Sequence, residues 1–146
     1  MNFLLDTCIL SKMRKIKKYP DEKLCAWLMN HNESAYFISV LSLGEIQVGI
    51  AKLNMRKKEE KTHRLILENW FNDHLIPRFQ SRILVVDHNV VMTWGKLTGE
   101  NQQKGIQVPI VDGLLAATAL TYNLSLVTQN VSDFIETGVR ITNPWV

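Results

Sequence analysis

An apolar stretch near the start of the chain is interrupted by polar residues, and this interruption constrains the fold more than any other feature. Phe3-Leu4-Leu5 is typical of a buried strand. Asp6-Thr7-Cys8 follows directly, and apolar residues resume at Ile9, where a helix is predicted. In open α/β folds ligands bind at the edge where parallel strands end. We therefore expect Asp6 to be the first member of a metal-binding acidic cluster at that edge.

Further predicted strands alternate with helices along the rest of the chain. The strands are predicted at residues 34–40, 83–86, 125–127 and 139–141. The helices are predicted at residues 9–18, 21–29, 41–53, 55–74, 88–104 and 112–122, with a turn or short helix at 130–134. Pro77 is expected to end the long charged stretch before it, and Gly105 to end a helix in a left-handed conformation. This alternation predicts an α/β sandwich with a mostly parallel sheet, and 146 residues are expected to form a single domain over 1–146.

Composition excludes several classes of protein. Hydrophobic residues make up 46% and charged residues 21%, which is typical of a globular rather than a disordered protein. The net charge of +3 is compatible with a polyanionic partner but is not evidence for one. Cys8 and Cys25 are isolated thiols, which argues against a disulfide framework and indicates a reducing cytoplasm. Neither a signal peptide nor an apolar membrane span is found, so we expect a cytoplasmic protein without membrane contact.

A set of polar residues lies close to the predicted strand ends or in the first turns of the following helices. They are Asp6, Glu45, Asp112, Thr128, Asn130 and Asp133. Because the carboxyl ends of parallel strands share one edge of a sheet, these side chains can converge there. Carboxylate and other oxygen ligands suit hard cations, so Mg²⁺ or Mn²⁺ is the expected metal.

Helix capping is the alternative for each acid. Asp6 can cap the helix that follows it, and Asp112 can do the same. Glu45 completes a Ser-x-x-Glu pattern with Ser42, which is typical of a capping box. Both interpretations remain open for these residues.

Position alone does not separate metal ligands from caps. Asp133 and Asn130 can be turn or cap residues. Asp87 also follows a predicted strand, so its position alone does not distinguish it from the other acids.

Four segments together are more specific than any single acid. In chain order they are Leu4-Leu5-Asp6-Thr7, the segment 42–49 around Glu45, the segment 112–119 that begins at Asp112, and the segment 127–134. This series resembles the PIN-domain family, and within it the VapC/FitB-like toxins of bacterial toxin–antitoxin pairs. The ending Asn143-Pro144-Trp145 is similar to the FitB-type tail.

The resemblance implies a three-layer α/β/α sandwich and cleavage of RNA that depends on Mg²⁺ or Mn²⁺. Its three acids are matched by Asp6, Glu45 and Asp112. A fourth position, in a Thr-x-Asp/Asn pattern, falls on Asn130 where other members carry aspartate, and Asp133 can contribute instead. The strand before Asp87 is implied to lie at the sheet margin, which leaves Asp87 outside the site.

Roles follow from this resemblance and from metal-ion chemistry. Asp6 and Asp112 are expected to hold the metal, directly or through water. Glu45 is expected to bind through water or to align the nucleophile. The polar residues expected to order water or the scissile phosphate are Thr7, Thr128 and Asn130. The resemblance also implies an antitoxin partner and a homodimer.

Two basic runs can follow an RNA backbone. The first comprises Lys12, Arg14, Lys15, Lys17 and Lys18, and for it RNA binding and a solvated helix face are equally favoured. The second, over residues 52–64, is interleaved with acids, which favours a solvated face. Scattered histidines argue against a zinc site, and the absence of a glycine-rich loop argues against nucleotide binding.

Two other functions compete with the ribonuclease. A haloacid-dehalogenase-type phosphatase needs an aspartate two residues after Asp6, but Cys8 stands there. A catalytically weakened PIN-like module that binds RNA or a protein partner is the stronger alternative, and Asn130 is its first indication.

Overall fold

A five-stranded, all-parallel sheet forms the centre of the molecule, whose computed structural model describes residues 1–146. The strands are β1 (Phe3–Leu5), β2 (Tyr36–Ser39), β3 (Ile83–Leu84), β4 (Ser125–Val127) and β5 (Ile141–Thr142). Their order is β3-β2-β1-β4-β5, with Phe3 of the central strand aligned with Tyr36 on one side and Ser125 on the other. The chain winds outward from β1 in both directions, so the switch point where α/β proteins bind ligands lies beside the end of β1.

Helices cover both faces of this sheet. They are α1 (Thr7–Lys15), α2 (Glu22–Met29), α3 (Val40–Ala51), α4 (Lys58–Trp70), α5 (Ile76–Phe79), α6 (His88–Gln103), α7 (Ile110–Thr121) and α8 (Val131–Phe134). One apolar cluster joins the sheet to α1–α5, and a second joins it to α7 and α8. The predicted three-layer α/β/α sandwich is therefore confirmed. No helix combines the length and the apolar character needed to cross a membrane.

The long charged stretch does not end at Pro77 as predicted. After α4 the backbone passes through one π-helical turn, Phe71–Leu75, and continues into α5. Pro77 lies in the first turn of α5, where the φ that proline fixes is already helical. Phe71, Leu75 and Phe79 are buried along this stretch, so packing of its apolar face favours helical continuation.

Other helix ends differ from the prediction by a few residues. Helix α1 begins at Thr7 and ends at Lys15, three residues before the predicted end. Helix α7 begins at Ile110, two residues before the predicted start. Gly105 has φ +76°, which confirms the predicted left-handed end after α6.

Asp87 acts as a helix cap on the β3 side of the sheet. Its Oδ1 accepts a hydrogen bond from the Val90 N–H at 2.9 Å, and its Oδ2 accepts one from the Tyr122 hydroxyl. Strand β3 is the outermost strand on its side, as the resemblance implied. The carboxylate of Asp87 is thus engaged at the sheet margin.

Candidate active site

Asp6 joins the end of β1 to the start of α1 and to the end of β4. Its Oδ1 accepts a hydrogen bond from the Thr7 N–H at 2.8 Å, so it does cap α1. Its Oδ2 accepts the hydroxyl hydrogen of Thr128, also at 2.8 Å, and lies 3.5 Å from Cys8 Sγ. Asp6 is buried with 7% of its surface exposed, and Thr128 is fully buried. Capping and membership of the site are therefore compatible for this residue.

Glu45 accepts a hydrogen bond from Thr7 of α1 and does not take part in a capping box. Helix α3 begins at Val40, and the side chain of Ser39 caps it by accepting the Leu41 N–H at 3.0 Å. The capping-box interpretation of Ser42 and Glu45 is therefore wrong, because both residues lie inside the helix.

Thr7 connects α1 to the two polar residues of α3. Its Oγ1 lies 2.8 Å from Glu45 Oε1 and 2.9 Å from Ser42 Oγ. A hydroxyl has one hydrogen to donate, and an ionised carboxylate can only accept. Thr7 therefore donates to Glu45 while Ser42 donates to Thr7, and this chain of hydrogen bonds fixes the direction of the Glu45 carboxylate.

Asp112 lies in the first turn of α7 but does not cap it. Pro109 occupies the N-cap position, so the capping interpretation of Asp112 is wrong. Burial raises the pKa of the Asp112 carboxyl, and the negative charges of Asp133, Asp6 and Glu45 raise it further, in that order. The charges of three acids from separate parts of the chain thus reach Asp112.

The segment after β4 contributes an acid and a backbone contact. Asn130 is exposed at the N-cap position of α8, where its side chain makes no capping hydrogen bond, and its N–H donates to Thr128 Oγ1 at 3.0 Å. Asp133 is exposed one turn later, and its charge raises the pKa of Asp112 more than the charge of any other acid does. Of the two polar residues in this segment, Asp133 rather than Asn130 is therefore the one whose charge acts on Asp112.

The donor set of this edge fits a hard divalent cation, although its geometry is not that of a preformed cage. No three His, Cys, Asp or Glu side chains lie close enough together to hold a metal as they stand. The available donors are carboxylate and hydroxyl oxygens, which Mg²⁺ and Mn²⁺ prefer. Burial and the nearby negative charges both raise the pKa of Asp112, and the repulsion from those charges is the part that a bound cation would offset.

Sequence reasoning missed two residues that contact the site. Ser42 is fully buried and supports Thr7, and its spacing of three from Glu45 on one helix was the available indication. Cys8 lies two residues after Asp6 and turns its thiol toward the same carboxylate. Burial raises the pKa of the Cys8 thiol, and the charge of Asp6 adds to this effect.

The basic residues predicted to bind RNA separate into two places. Arg14 and Lys15 line a cavity of about 260 Å³ that also reaches Thr7 and Glu45. Lys12 instead lies with its Nζ 5.4 Å from the ring centroid of Trp145, which donates from its indole Nε1 to Asp21 at 2.8 Å. Of the three predicted residues, only Arg14 and Lys15 therefore lie beside the acids.

Relatives of known name cover nearly the whole chain. The toxin FitB of Neisseria gonorrhoeae is 28% identical over 142 residues, which are 97% of this chain and 97% of that protein. The VapC ribonuclease Y4jK of Sinorhizobium fredii is 26% identical over 97% of this chain and 96% of its own length. The ribonuclease VapC2 of Rickettsia felis is 29% identical over 99% and 98%, respectively.

Solved structures extend this similarity to the fold. The crystal structure of FitAcB from Neisseria gonorrhoeae superposes with a TM-score of 0.83 at 26% identity, over 98% of each chain. VapBC2 from Rickettsia felis, bound to a DNA fragment from its promoter, gives a TM-score of 0.68 at 27% identity, again over 98% of each chain. The PIN domain family matches residues 3–139. The resemblance predicted from the four segments is thus confirmed, and the chain belongs to the PIN domain family.

Proposed function

We propose that this protein is a divalent-metal-dependent endoribonuclease and the toxin of a toxin–antitoxin pair. The observation that carries the proposal is that Asp6 and Glu45 are both hydrogen-bonded to Thr7 at 2.8 Å, and that their charges, with that of Asp133, add to burial in raising the pKa of Asp112. Relatives named as VapC ribonucleases, which align over nearly the whole chain, support hydrolysis of RNA. The proposed metal is Mg²⁺ or Mn²⁺.

The site residues have distinct proposed roles. Asp6 and Asp112 would hold the metal, with Glu45 and Asp133 binding it directly or through water. A divalent cation, when bound, makes an attacking water more acidic and stabilises negative charge on the phosphodiester oxygens. Asp133 is the proposed fourth acid in place of Asn130, because its charge acts on Asp112 and its exposed side chain can rotate toward the other acids.

The remaining polar residues fix the acids in place. Thr128 and the Thr7 N–H occupy different oxygens of Asp6, so the carboxylate cannot rotate without breaking a hydrogen bond. Thr7 also holds Glu45, and Ser42 holds Thr7. Charged ligands that are already oriented need little reorganisation when substrate arrives.

An antitoxin is the proposed protein partner. Toxin–antitoxin complexes are among the structures similar to this chain, and FitB is named as a toxin. The homodimer implied by the family resemblance remains a prediction, which light scattering on the purified protein tests. The free thiols of Cys8 and Cys25 fit the proposed cytoplasmic location.

Cleavage of total RNA by wild type and by Asp6→Asn tests the nuclease. Asparagine keeps the shape of the side chain and one oxygen that can accept the Thr7 N–H, and its amide group can donate to the Thr128 hydroxyl oxygen. The variant should therefore fold, but it loses the negative charge. We expect cleavage by wild type in Mg²⁺ or Mn²⁺ but not in EDTA. We expect Asp6→Asn to lose at least about 100-fold in rate, because even changes behind the ligands cost about 10- to 100-fold.

Asp87→Asn is the matched control, since Asp87 also caps a helix after a strand but lies at the sheet margin. It should cleave RNA at the wild-type rate. Equal loss in both variants would contradict a specific role for Asp6. A wild type that is inert with both metals, yet binds RNA or a protein partner, would favour the catalytically weakened binding module.

A further inference from the structure

A cavity opens beside the acidic site, and basic side chains line the part of it that lies farther from the acids. It has a volume of about 260 Å³ and lies between α1, α3 and α4. Thr7 and Glu45 line it next to the acidic site, and Arg14, Lys15 and His63 line it further out. A second cavity of about 510 Å³ also contacts these three cationic or imidazole side chains and extends to Lys18. Positive side chains therefore continue outward from the acidic centre.

No acidic side chain neutralises Arg14 or Lys15 in this cavity. Arg14 and Lys15 make no ion pair and no side-chain hydrogen bond, whereas other surface cations do. Arg64 pairs with Glu68 at 2.9 Å, and Arg78 pairs with Glu33 at 2.7 Å. Unneutralised cations beside a concave surface attract an anionic ligand.

Arg14 is held in place without being neutralised. Its guanidinium carbon lies 5.9 Å from the ring centroid of Trp70, which also lines the cavity. Stacking on an aromatic face restricts the guanidinium while leaving its N–H donors free for a phosphate. A planar fork of donors matches phosphate oxygens well.

We propose that this cavity is the subsite for the single-stranded RNA backbone on one side of the scissile phosphate. Arg14 and Lys15 bind a phosphate there, while Glu45 and Thr7 mark the boundary with the acidic centre. The proposal rests on the ribonuclease function and adds the path that the bound RNA backbone follows away from the acidic centre. Lys12, which lies against Trp145, does not belong to this subsite.

Gly49 offers a way to block the cavity without disturbing the fold. It is an exposed residue of α3 that lines the cavity, and a Cβ at this position would meet no atom within 4 Å. A leucine side chain here would occupy the cavity, and it suits a helix better than glycine does. Gly99 in α6 also has open space around a Cβ but does not line the cavity, so Gly99→Leu is the matched control.

Binding is measured by fluorescence anisotropy with a labelled short single-stranded RNA in EDTA, so that cleavage does not contribute. We expect Arg14→Ala and Lys15→Ala each to weaken binding by about 10-fold. The slope of log affinity against log salt, between about 50 and 200 mM, should become shallower by about 0.7 for each phosphate that the variant no longer binds. Gly49→Leu should weaken binding at least as much. Lys104→Ala, an exposed cation after α6, and Gly99→Leu should bind like wild type.

Three results would overturn the subsite. The first is that all variants bind the RNA as tightly as wild type, and the second is that wild type shows no RNA binding. The third is that an oligoglutamate peptide binds wild type as tightly as the RNA does and displaces it, which would assign the cavity to an acidic protein segment. Thermal midpoints of all variants verify folding. Cleavage of the same RNA in Mn²⁺ separates the two proposals. If wild type binds the RNA but does not cleave it, only the proposed nuclease function is refuted. If wild type cleaves the RNA and Arg14→Ala binds it with unchanged affinity, only the proposed subsite is refuted.

Discussion

Thr128 donates its hydroxyl hydrogen to Asp6 Oδ2 at 2.8 Å, across 122 positions of the chain. The two residues follow β4 and β1, which are adjacent parallel strands. Because both are buried, water cannot replace this hydrogen bond. The same Thr128 oxygen accepts the Asn130 N–H at 3.0 Å, so one hydroxyl ties the central strand to the segment that leads into α8.

Removal of this hydroxyl should cost stability out of proportion to the change in volume. Thr128→Val keeps the shape but leaves Asp6 Oδ2 with only the Cys8 thiol at 3.5 Å and removes the acceptor of the Asn130 N–H. We expect the free energy of unfolding to fall by about 1–3 kcal/mol, the usual cost of an unsatisfied buried polar group. Urea unfolding measures it, and Thr128→Ser, which keeps the hydroxyl, should lose less. A valine variant as stable as the serine variant would contradict this role.

Ser42 should affect the reaction although it cannot reach the substrate. It donates to Thr7, which donates to Glu45, so Ser42→Ala should let the Glu45 carboxylate turn away. We expect kcat for RNA cleavage to fall by about 10- to 100-fold, as for other groups that orient metal-site ligands. KM should change little. Ser34→Ala, at an exposed serine, serves as control, and an unchanged kcat in Ser42→Ala would exclude the relay.

The sequence is most informative where a local pattern coincides with the tertiary contact. Three apolar residues followed by Asp6 predict both the strand β1 and the polar residue at its carboxyl end, because both lie in one short segment. The start of α3 is not predictable in this way. Ser39 and Ser42 both precede apolar residues, and only the packed structure turns one hydroxyl to the helix N–H and the other to Thr7.

The basic run after Asp6 shows a second limit of composition. Closeness in sequence predicts a single RNA-binding surface that includes both Lys12 and Arg14. Two helical residues at this spacing are rotated by about 200° relative to each other, so the two side chains leave α1 on nearly opposite sides. The structure accordingly places Lys12 against Trp145 and Arg14 against Trp70. Helical periodicity is present in the sequence and is enough to separate them.

Asp112 should reduce stability at neutral pH. Burial and three neighbouring acids raise its pKa in the folded protein above the unfolded value. Its charged form is therefore unfavourable in the folded state above the folded pKa. This penalty disappears as the pH falls through that pKa toward the unfolded value. In EDTA at neutral pH, Asp112→Asn should thus unfold at a higher denaturant concentration than wild type.

Guanidinium unfolding at several pH values verifies the sign of this effect. The advantage of Asp112→Asn should shrink as the pH is lowered, while its RNA cleavage should be lost at every pH. Mn²⁺ should raise the thermal midpoint of wild type more than that of the variant, since the cation offsets a repulsion that the variant lacks. A variant less stable than wild type at neutral pH would contradict the electrostatic account.

Gly113 should not tolerate a methyl group, because it is the point at which α7 approaches α6. A Cβ at Gly113 would lie 3.2 Å from both Cδ1 and Nε1 of Trp94, which is closer than ordinary van der Waals contact. Trp94 packs against the buried cluster of Val90, Leu97 and Ala117, so it has little room to move. We expect Gly113→Ala to lose about 1 kcal/mol or more in the free energy of unfolding.

Gly99→Ala makes the same chemical change, but we expect it to raise rather than lower the free energy of unfolding. A Cβ there meets no atom within 4 Å, so alanine should stabilise α6 by about 0.5–1 kcal/mol. Because Gly113 follows Asp112 directly, a shift of α7 away from Trp94 also displaces that acid. Gly113→Ala should therefore lower RNA cleavage as well as stability, while Gly99→Ala should leave cleavage unchanged. Equal stabilisation of the protein by both alanines would show that Trp94 yields and that the α6–α7 contact does not position Asp112.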